Sequence, residues 1–493
     1  MRTRYCGSEL TCPSFSDSWR SGEFPTSFEY LHRYFDYTIQ NRDRLFYQYA
    51  LLSLAIVQSD FGCNREAVAT MLEAVSAARE DRDTACLNFA LNWLYHFSKT
   101  HPELSKELED SNMLGTAKES LAYLRTKAKE TGMWVLWSSA LLSEAKLCLS
   151  NGESISNALE NMARSSHVII ERNMKPMMGA QISLTTTLWD RLGLASMSAM
   201  MCEVFLRCHA TSSLFDDQLR ITCRLSGLLS SKGMYEEAFE RLESLGSNSL
   251  RSAKPRQYWR LYHGVLNLRR VLHQNRLDAA SALVSQLLQV SPEETDPAII
   301  SIIHMMHIET LTRCCDFDQA LGKVERLLSE FRQSNKDISL RLRLLLAKAH
   351  LFDCIGRPEK GFTIAIRAAS IAWRARLTSL LWQAIGAIAN ILNALGEFMA
   401  SEKLLIAILP RCLETETTFI AGTLYNILAD ARLGRTREIN LSRTAVDHAM
   451  KYLMVHDALD SAYKCFSVVE DVVKQDEILA KKATVSRLSL ITH

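Results

Sequence analysis

Hydrophobic and small residues recur in a fixed order along this chain. A turn residue is followed two places later by an aromatic or aliphatic residue, and three places after that by a small one. Gly233, Tyr235 and Ala238 form one such group, and Asn275, Leu277 and Ala280 the next. Cys315, Phe317 and Ala320 follow, then Gly356, Pro358 and Gly361, then Gly396, Phe398 and Ser401. The five turn positions lie 42, 40, 41 and 40 residues apart. The same interval backwards reaches Gly193 and Gly152, and forwards, 38 residues on, Gly434. An earlier copy holds Gly62 and Ala67, and the 90 residues between Gly62 and Gly152 leave room for two longer units. The pattern predicts nine or ten helix–turn–helix units.

The spacing has a physical reading. Glycine at the turn ends the first helix in a left-handed conformation. The small residue five places on lies where the second helix crosses the first, and a larger side chain there would drive the pair apart. Seven residues before the turn the first helix carries its own small residue: Ala55, Ala145, Ser226, Ala349 or Ala389. Both sides of the crossing are therefore small. Ala55, Gly62, Ala67, Gly233, Ala238, Ala280, Ala320, Gly356 and Gly396 are the expected packing positions. The fold class is all-α, an α-solenoid that resembles tetratricopeptide repeats with a period of about 40 residues rather than the usual ~34. It is expected over residues 28–469. A segment rich in Ser, Thr, Gly and Pro, expected to be disordered, precedes it at 1–27, and a polar, fraying tail follows at 470–493.

Composition agrees with helices. Only 19 glycines and 9 prolines punctuate 493 residues, too few for the tight turns of a β-rich fold. Charge is balanced, 57 Lys+Arg against 55 Asp+Glu, so no chain-wide attraction to nucleic acid or anionic lipid is expected. The 13 cysteines include no C-x-x-C pair, and Cys148, Cys202, Cys223 and Cys412 sit in apolar helical runs, as in a reduced compartment. The first residues lack the apolar core of a signal peptide. Residues 377–396 carry no charge, yet Gln383, Asn390 and Asn393 would be costly in lipid, so a buried soluble helix is expected there.

Candidate chemistry is sparse. His304 and His307, near Glu309 and Cys314, have the spacing of a metal pair. They also occupy first-helix positions where Leu51 and Leu54 stand in the earliest copy, and packing is the expected role. Nucleophile elbows, phosphate loops and dinucleotide fingerprints are absent from the sequence. No catalytic residue, metal or cofactor is expected. The Arg256–Arg276 stretch interleaves arginines with Tyr258, Trp259 and Tyr262, but reads as an amphipathic helix. The concave groove of a tetratricopeptide array is lined by first helices, which places Tyr262, Arg269, Arg343, His350, Gln383 and Asn390 on that surface. This mixture of Arg, amide and aromatic suits a protein partner, with a plain solvated face as the alternative.

Residues 46–97 carry something more specific. An A-L-x-L-A helix precedes F-G, then a small-residue helix ends in A-R-E. A helix with C-L-x-x-x-L-x-W-L-Y follows: Cys86, Leu87, Leu91, Trp93, Leu94 and Tyr95. This order resembles the core of the anaphase-promoting complex subunit 5 family. The resemblance implies a scaffold rather than an enzyme, in a nuclear and cytoplasmic ubiquitin ligase that drives chromosome separation and mitotic exit. It implies other subunits of that complex as partners, with the chain in the platform that joins the cullin–RING module to the other repeat subunits. It also implies a helical N-terminal domain before this core, where about 45 residues stand here. A motor or vesicle adaptor using the same groove is the alternative reading.

Overall fold

A computed structural model of the chain describes residues 15, 17–40, 44–101, 104, 117–246, 250, 252–289, 297–333, 337–415, 417–438 and 445–491. Every regular element among them is helical, and none is a strand. Phe24–Gln40 comes first. The pairs then run Arg44–Asp60 with Asn64–Glu80, Thr84–Thr100 with Ala117–Glu130, Trp134–Asn151 with Ile155–Glu171, and Met178–Arg191 with Ala195–Cys208. Next are Phe215–Ser231 with Tyr235–Glu243, Ala253–His273 with Leu277–Leu288, Pro297–Arg313 with Phe317–Gln333, and Ile338–Cys354 with Pro358–Arg374. Thr378–Ala394 with Phe398–Glu414 and Thr418–Glu438 with Ala445–Val469 follow, and Val472–Ile491 ends the described chain.

The turn residues adopt the conformation that their spacing demands. Gly62, Gly152, Gly193, Gly233, Gly356 and Gly396 all have positive φ, and so do Asn275 (58°) and Cys315 (63°). At Gly152 the turn N–H reaches the Leu149 carbonyl at 3.2 Å and the Glu153 N–H reaches that of Cys148 at 2.9 Å, which satisfies two helix-end carbonyls at once. The crossing residues are closed off from solvent: Ala55, Ala67, Ala145, Ala238, Ala280, Ala320 and Ala389 are 0 % exposed. At the crossing of Ile338–Cys354 with Pro358–Arg374, a side chain on Gly361 would press on the Ala349 carbonyl at 3.1 Å.

Three expectations change. Gly434 is no turn: it lies inside Thr418–Glu438, and a Cβ there would collide with the Phe398 ring of the preceding unit. Glycine is needed at that position for close packing, not for φ. Residues 472–491, expected to fray, form a helix whose Ile478 and Val485 are buried. At the other end Phe24–Gln40 already begins within 1–27, and residues 1–14 lie outside the described residues.

First helices of neighbouring units pack on one another, whereas second helices fan outward. This makes the first helices the inner wall of a coil. The coil is tight. Gly152 lies against Ile338 and Ala375, Gly193 against Thr378 and Thr415, and Gly233 against the backbone of Val468. In each case the turn of one unit meets the unit five places later. Lys254 pairs with Asp60 across the same interval. Five units therefore complete about one turn.

The coil predicts unequal effects of one substitution. Gly356→Ala meets only the left-handed backbone, because nothing lies within 4 Å of its added Cβ, and should cost about 1 kcal/mol. Gly233→Ala meets the same strain and the Val468 carbonyl as well, and should cost more than about 2 kcal/mol. Equal losses in denaturant melts would mean that successive turns of the coil do not touch.

Candidate functional site: the inner wall of the coil

The chemistry-bearing residues of the inner wall cluster where first helices end. Arg191 stands two residues before the Gly193 turn. Its guanidinium donates to the Leu149 carbonyl of the preceding unit (2.5 Å) and to Asp337 four units away in the coil (2.8 Å). Arg313 stands two residues before the Cys315 turn and repeats the arrangement. It donates to the Leu272 carbonyl at 2.5 Å and faces Asp471 at 3.6 Å. Each arginine adds a second donor to a helix-end carbonyl that already accepts from the turn N–H, Gly152 at Leu149 and Asn275 at Leu272. Both also tie one turn of the coil to the next.

The candidate groove residues fall into distinct places. Arg269 donates to Ser230 Oγ at 3.0 Å. Arg343 is exposed to the lumen by surface area and forms no hydrogen bond or ion pair among the described residues. Surrounding protein nevertheless lowers its pKa, and Asp190, Arg269, Asp337 and Arg191 act on it electrostatically. Asn390 donates to Asp353 Oδ2 at 2.7 Å, and the Asp353 charge also acts on His350. His350 lies 3.7 Å from Cys354 Sγ. Burial raises the pKa of that thiol, which keeps it from being an activated nucleophile. Gln383 is exposed. Tyr262 differs from the rest: it is half-buried, and a Cβ on Gly227 would strike its hydroxyl, so it packs between units. The structure thus brings His350 and Asn390 together through Asp353, and sets Arg269 close enough to Arg343 for their charges to repel.

Sequence reasoning missed the anchors of this wall: Asp190, Arg191, Arg313, Asp337, Asp353 and Asp471. A signal did exist for two of them, since Arg191 and Arg313 share one repeat position. Their acidic partners come from distant units and left none. The aromatics of Ala253–His273 serve packing: Trp259 Nε1 donates to the Leu242 carbonyl at 3.0 Å, and Tyr258 stacks on Tyr262 with ring centroids 6.5 Å apart. His307 faces the Lys323 ammonium. Among the described residues no group of three His, Cys, Asp or Glu could hold a metal ion.

Burial holds His96, His273, His307 and His350 below their ordinary pKa; nearby cations add to it at His96 and His307, whereas carboxylates oppose it at His273 (Asp471, Glu309) and His350 (Asp353). His307, beside Lys323 and His304, is lowered to about 4. As pH falls through about 6.5, the unfolded chain takes up protons at these positions while the folded chain resists them. Stability is therefore full above about pH 6.5 and is lost on acidification, for His307 down to about pH 4. The Tm should drop between roughly pH 7.5 and roughly pH 5.5, and His307→Gln should shrink the drop. An unchanged drop in that variant would remove His307 from the explanation.

The motif helix Thr84–Thr100 is fixed by the same kinds of contact. Asp83 caps it, accepting from the N–H groups of Ala85 (3.0 Å) and Cys86 (3.1 Å). Cys86, Leu94 and Tyr95 point into the core. A family profile described as "Anaphase-promoting complex subunit 5" matches residues 12–101, which contain this helix. Over these residues the chain is similar to that family. The fission yeast Schizosaccharomyces pombe protein of that name is 32 % identical over 202 residues, covering 40 % of this chain and 26 % of the relative. The Mus musculus protein is 22 % identical over 341 residues, covering 68 % and 43 %. The Homo sapiens protein is 21 % identical over 255 residues, covering 50 % and 32 %. The chain thus spans less than half the length of these curated relatives. A solved circular tandem repeat protein aligns with 98 % of the chain at 10 % identity and a TM-score of 0.14, too low to bear on the fold. No helix among the described residues is long and apolar enough to cross a membrane.

Proposed function

We propose that this chain is a non-catalytic scaffold subunit of the anaphase-promoting complex, a ubiquitin ligase that controls mitotic progression and exit, and that it works in nucleus and cytoplasm. The observation that carries the reading is the family match over residues 12–101, which falls on the capped Thr84–Thr100 helix and its specific C-L…W-L-Y sequence. A coil of repeats supports it, because a solenoid offers a large surface for its length. In this reading the inner wall, with Arg269, Arg343, His350, Gln383 and Asn390, contacts other subunits of the complex. Arg343 is suited to a partner carboxylate, having no ion pair of its own within the described residues. The tagged chain should bring down the other anaphase-promoting complex subunits in fixed proportion, and its depletion should delay anaphase. The purified chain should transfer no ubiquitin with activating and conjugating enzymes alone. Recovery of motor or vesicle proteins in place of the ligase would transfer the chain to the adaptor class.

A further inference from the structure

The second helix Pro358–Arg374 has an outer face that packing within the coil does not use. Its inner face is small: Gly361, Ala365, Ala368 and Ala372 are buried. The opposite face repeats every seven residues, so its side chains form rows along the helix. Lys360, Arg367 and Arg374 make a cationic row, Thr363 and Ser370 a short polar row, and Ile366 and Trp373 an apolar row. All are exposed, Ile366 by 45 % and Trp373 by 55 %. The Arg376 guanidinium lies over the Trp373 ring, 4.7 Å from its centroid, and adds a fourth cation beside the apolar row. From Lys360 to Gly396 the chain holds these four cations and no Asp or Glu. None of the four forms an ion pair among the described residues. Glu359, in the first turn, is the single carboxylate of the helix. On the flanking second helices Glu325 is held by Lys348, and Glu402 by Arg432 and Arg435. The exposed charges of Phe398–Glu414 are Lys403, Arg411 and Glu414. The face is therefore cationic and its charge is uncompensated.

We infer that this face docks one acidic amphipathic helix of a partner protein. Carboxylates spaced seven residues apart on that helix meet Lys360, Arg367 and Arg374, while its apolar row lies on Ile366 and Trp373. Residues seven apart stand about 10.5 Å apart along a helix axis, an interval that a second helix repeats. Phosphates of one nucleic-acid strand recur at about 3.4 Å along the axis and would leave Ile366 without a partner. Thr363 and Ser370 are short and lie between the outer rows, which lets a partner backbone come close. Tryptophan and arginine are the side chains that most often dominate binding energy, and here both are already exposed. Unpaired cations beside the apolar row select an acidic helix over a basic one. The scaffold reading does not depend on this face and survives its failure.

The test uses the full chain and a fluorescein-labelled helical peptide, three copies of Leu-Gln-Ala-Glu-Ala-Ala-Glu. One control peptide carries Lys at every Glu, and another has the same composition in scrambled order. The acidic helix should raise anisotropy, more weakly as salt rises, and neither control should match it. Lys360→Glu with Arg367→Glu should weaken binding by about tenfold or more, with helix content and Tm unchanged because both side chains are exposed and unpaired. Trp373→Ala should weaken it to a similar degree. Lys129→Glu with Lys175→Glu, the same charge change at exposed sites elsewhere, should leave affinity within about twofold. Vesicles of phosphatidylserine and phosphatidylcholine, or a short DNA duplex, should not displace the peptide. No binding of the acidic helix, equal binding of either control peptide, unchanged affinity in the folded Lys360 and Arg367 double variant, or displacement by vesicles or DNA would each overturn the assignment.

Discussion

Ala238→Glu is expected to destabilise the array by about 3 kcal/mol or more. Ala238 is 0 % exposed, on the second helix where it crosses the first, and Ser226 faces the same crossing with equal burial. A glutamate there must either force the packed helices apart or bury a carboxylate with nothing to pair it. The neighbouring Glu237 is partly exposed and pairs with Arg241 at 3.7 Å on its own helix. Glu237→Ala should therefore stay within about 0.5 kcal/mol. Urea melts of the two variants separate the cases. Similar midpoints would show that the small positions do not define the crossing.

Arg313→Ala is expected to cost about 3 kcal/mol, and Arg191→Ala less, about 1–2 kcal/mol. The two arginines do the same work, yet their acidic partners differ. Asp471 is 0 % exposed, and its Oδ2 has no hydrogen bond, with Arg313 at 3.6 Å as its ion partner. Removing Arg313 takes the ion partner from a buried carboxylate, whose Oδ1 keeps only the Lys474 N–H, and leaves the Leu272 carbonyl with the Asn275 N–H alone. The side chain of Asp337 is 42 % exposed, so water takes over when Arg191 is lost. Arg313→Ala should also loosen Val472–Ile491, read as faster hydrogen exchange in that helix. Slow exchange there, with a small change in stability, would mean that Arg313 does not hold the last helix to the coil.

How much of this was legible beforehand differs from element to element. The left-handed turns at Gly62, Gly152 and Gly396, and the buried alanines around them, follow from spacing, because each unit is built by contacts within about twenty residues. Even the exceptions Asn275 and Cys315 were marked, as they keep the turn register without glycine. Gly434 broke the same rule because its glycine answers to the Phe398 ring, and nothing in the local sequence states that contact. The candidate site was legible only in outline. First-helix positions named Arg269, Arg343, His350 and Asn390, but not what stands opposite them, and Tyr262 proved to be a packing residue between units.

The sequence alone therefore determined the helical repeat, its period, its turn and crossing residues, and the Cys86–Tyr95 helix on which the family resemblance rests. Each of these rests on local periodicity and on side chains that meet within one unit or its neighbour. Tertiary structure decided the closure of the coil, the pairing of Arg191 with Asp337 and of Arg313 with Asp471, and the helical end of the chain. Those depend on a small rotation between units that accumulates over five of them. No single unit's sequence encodes that sum, so residues about 150 to 235 positions apart come together without any local signal.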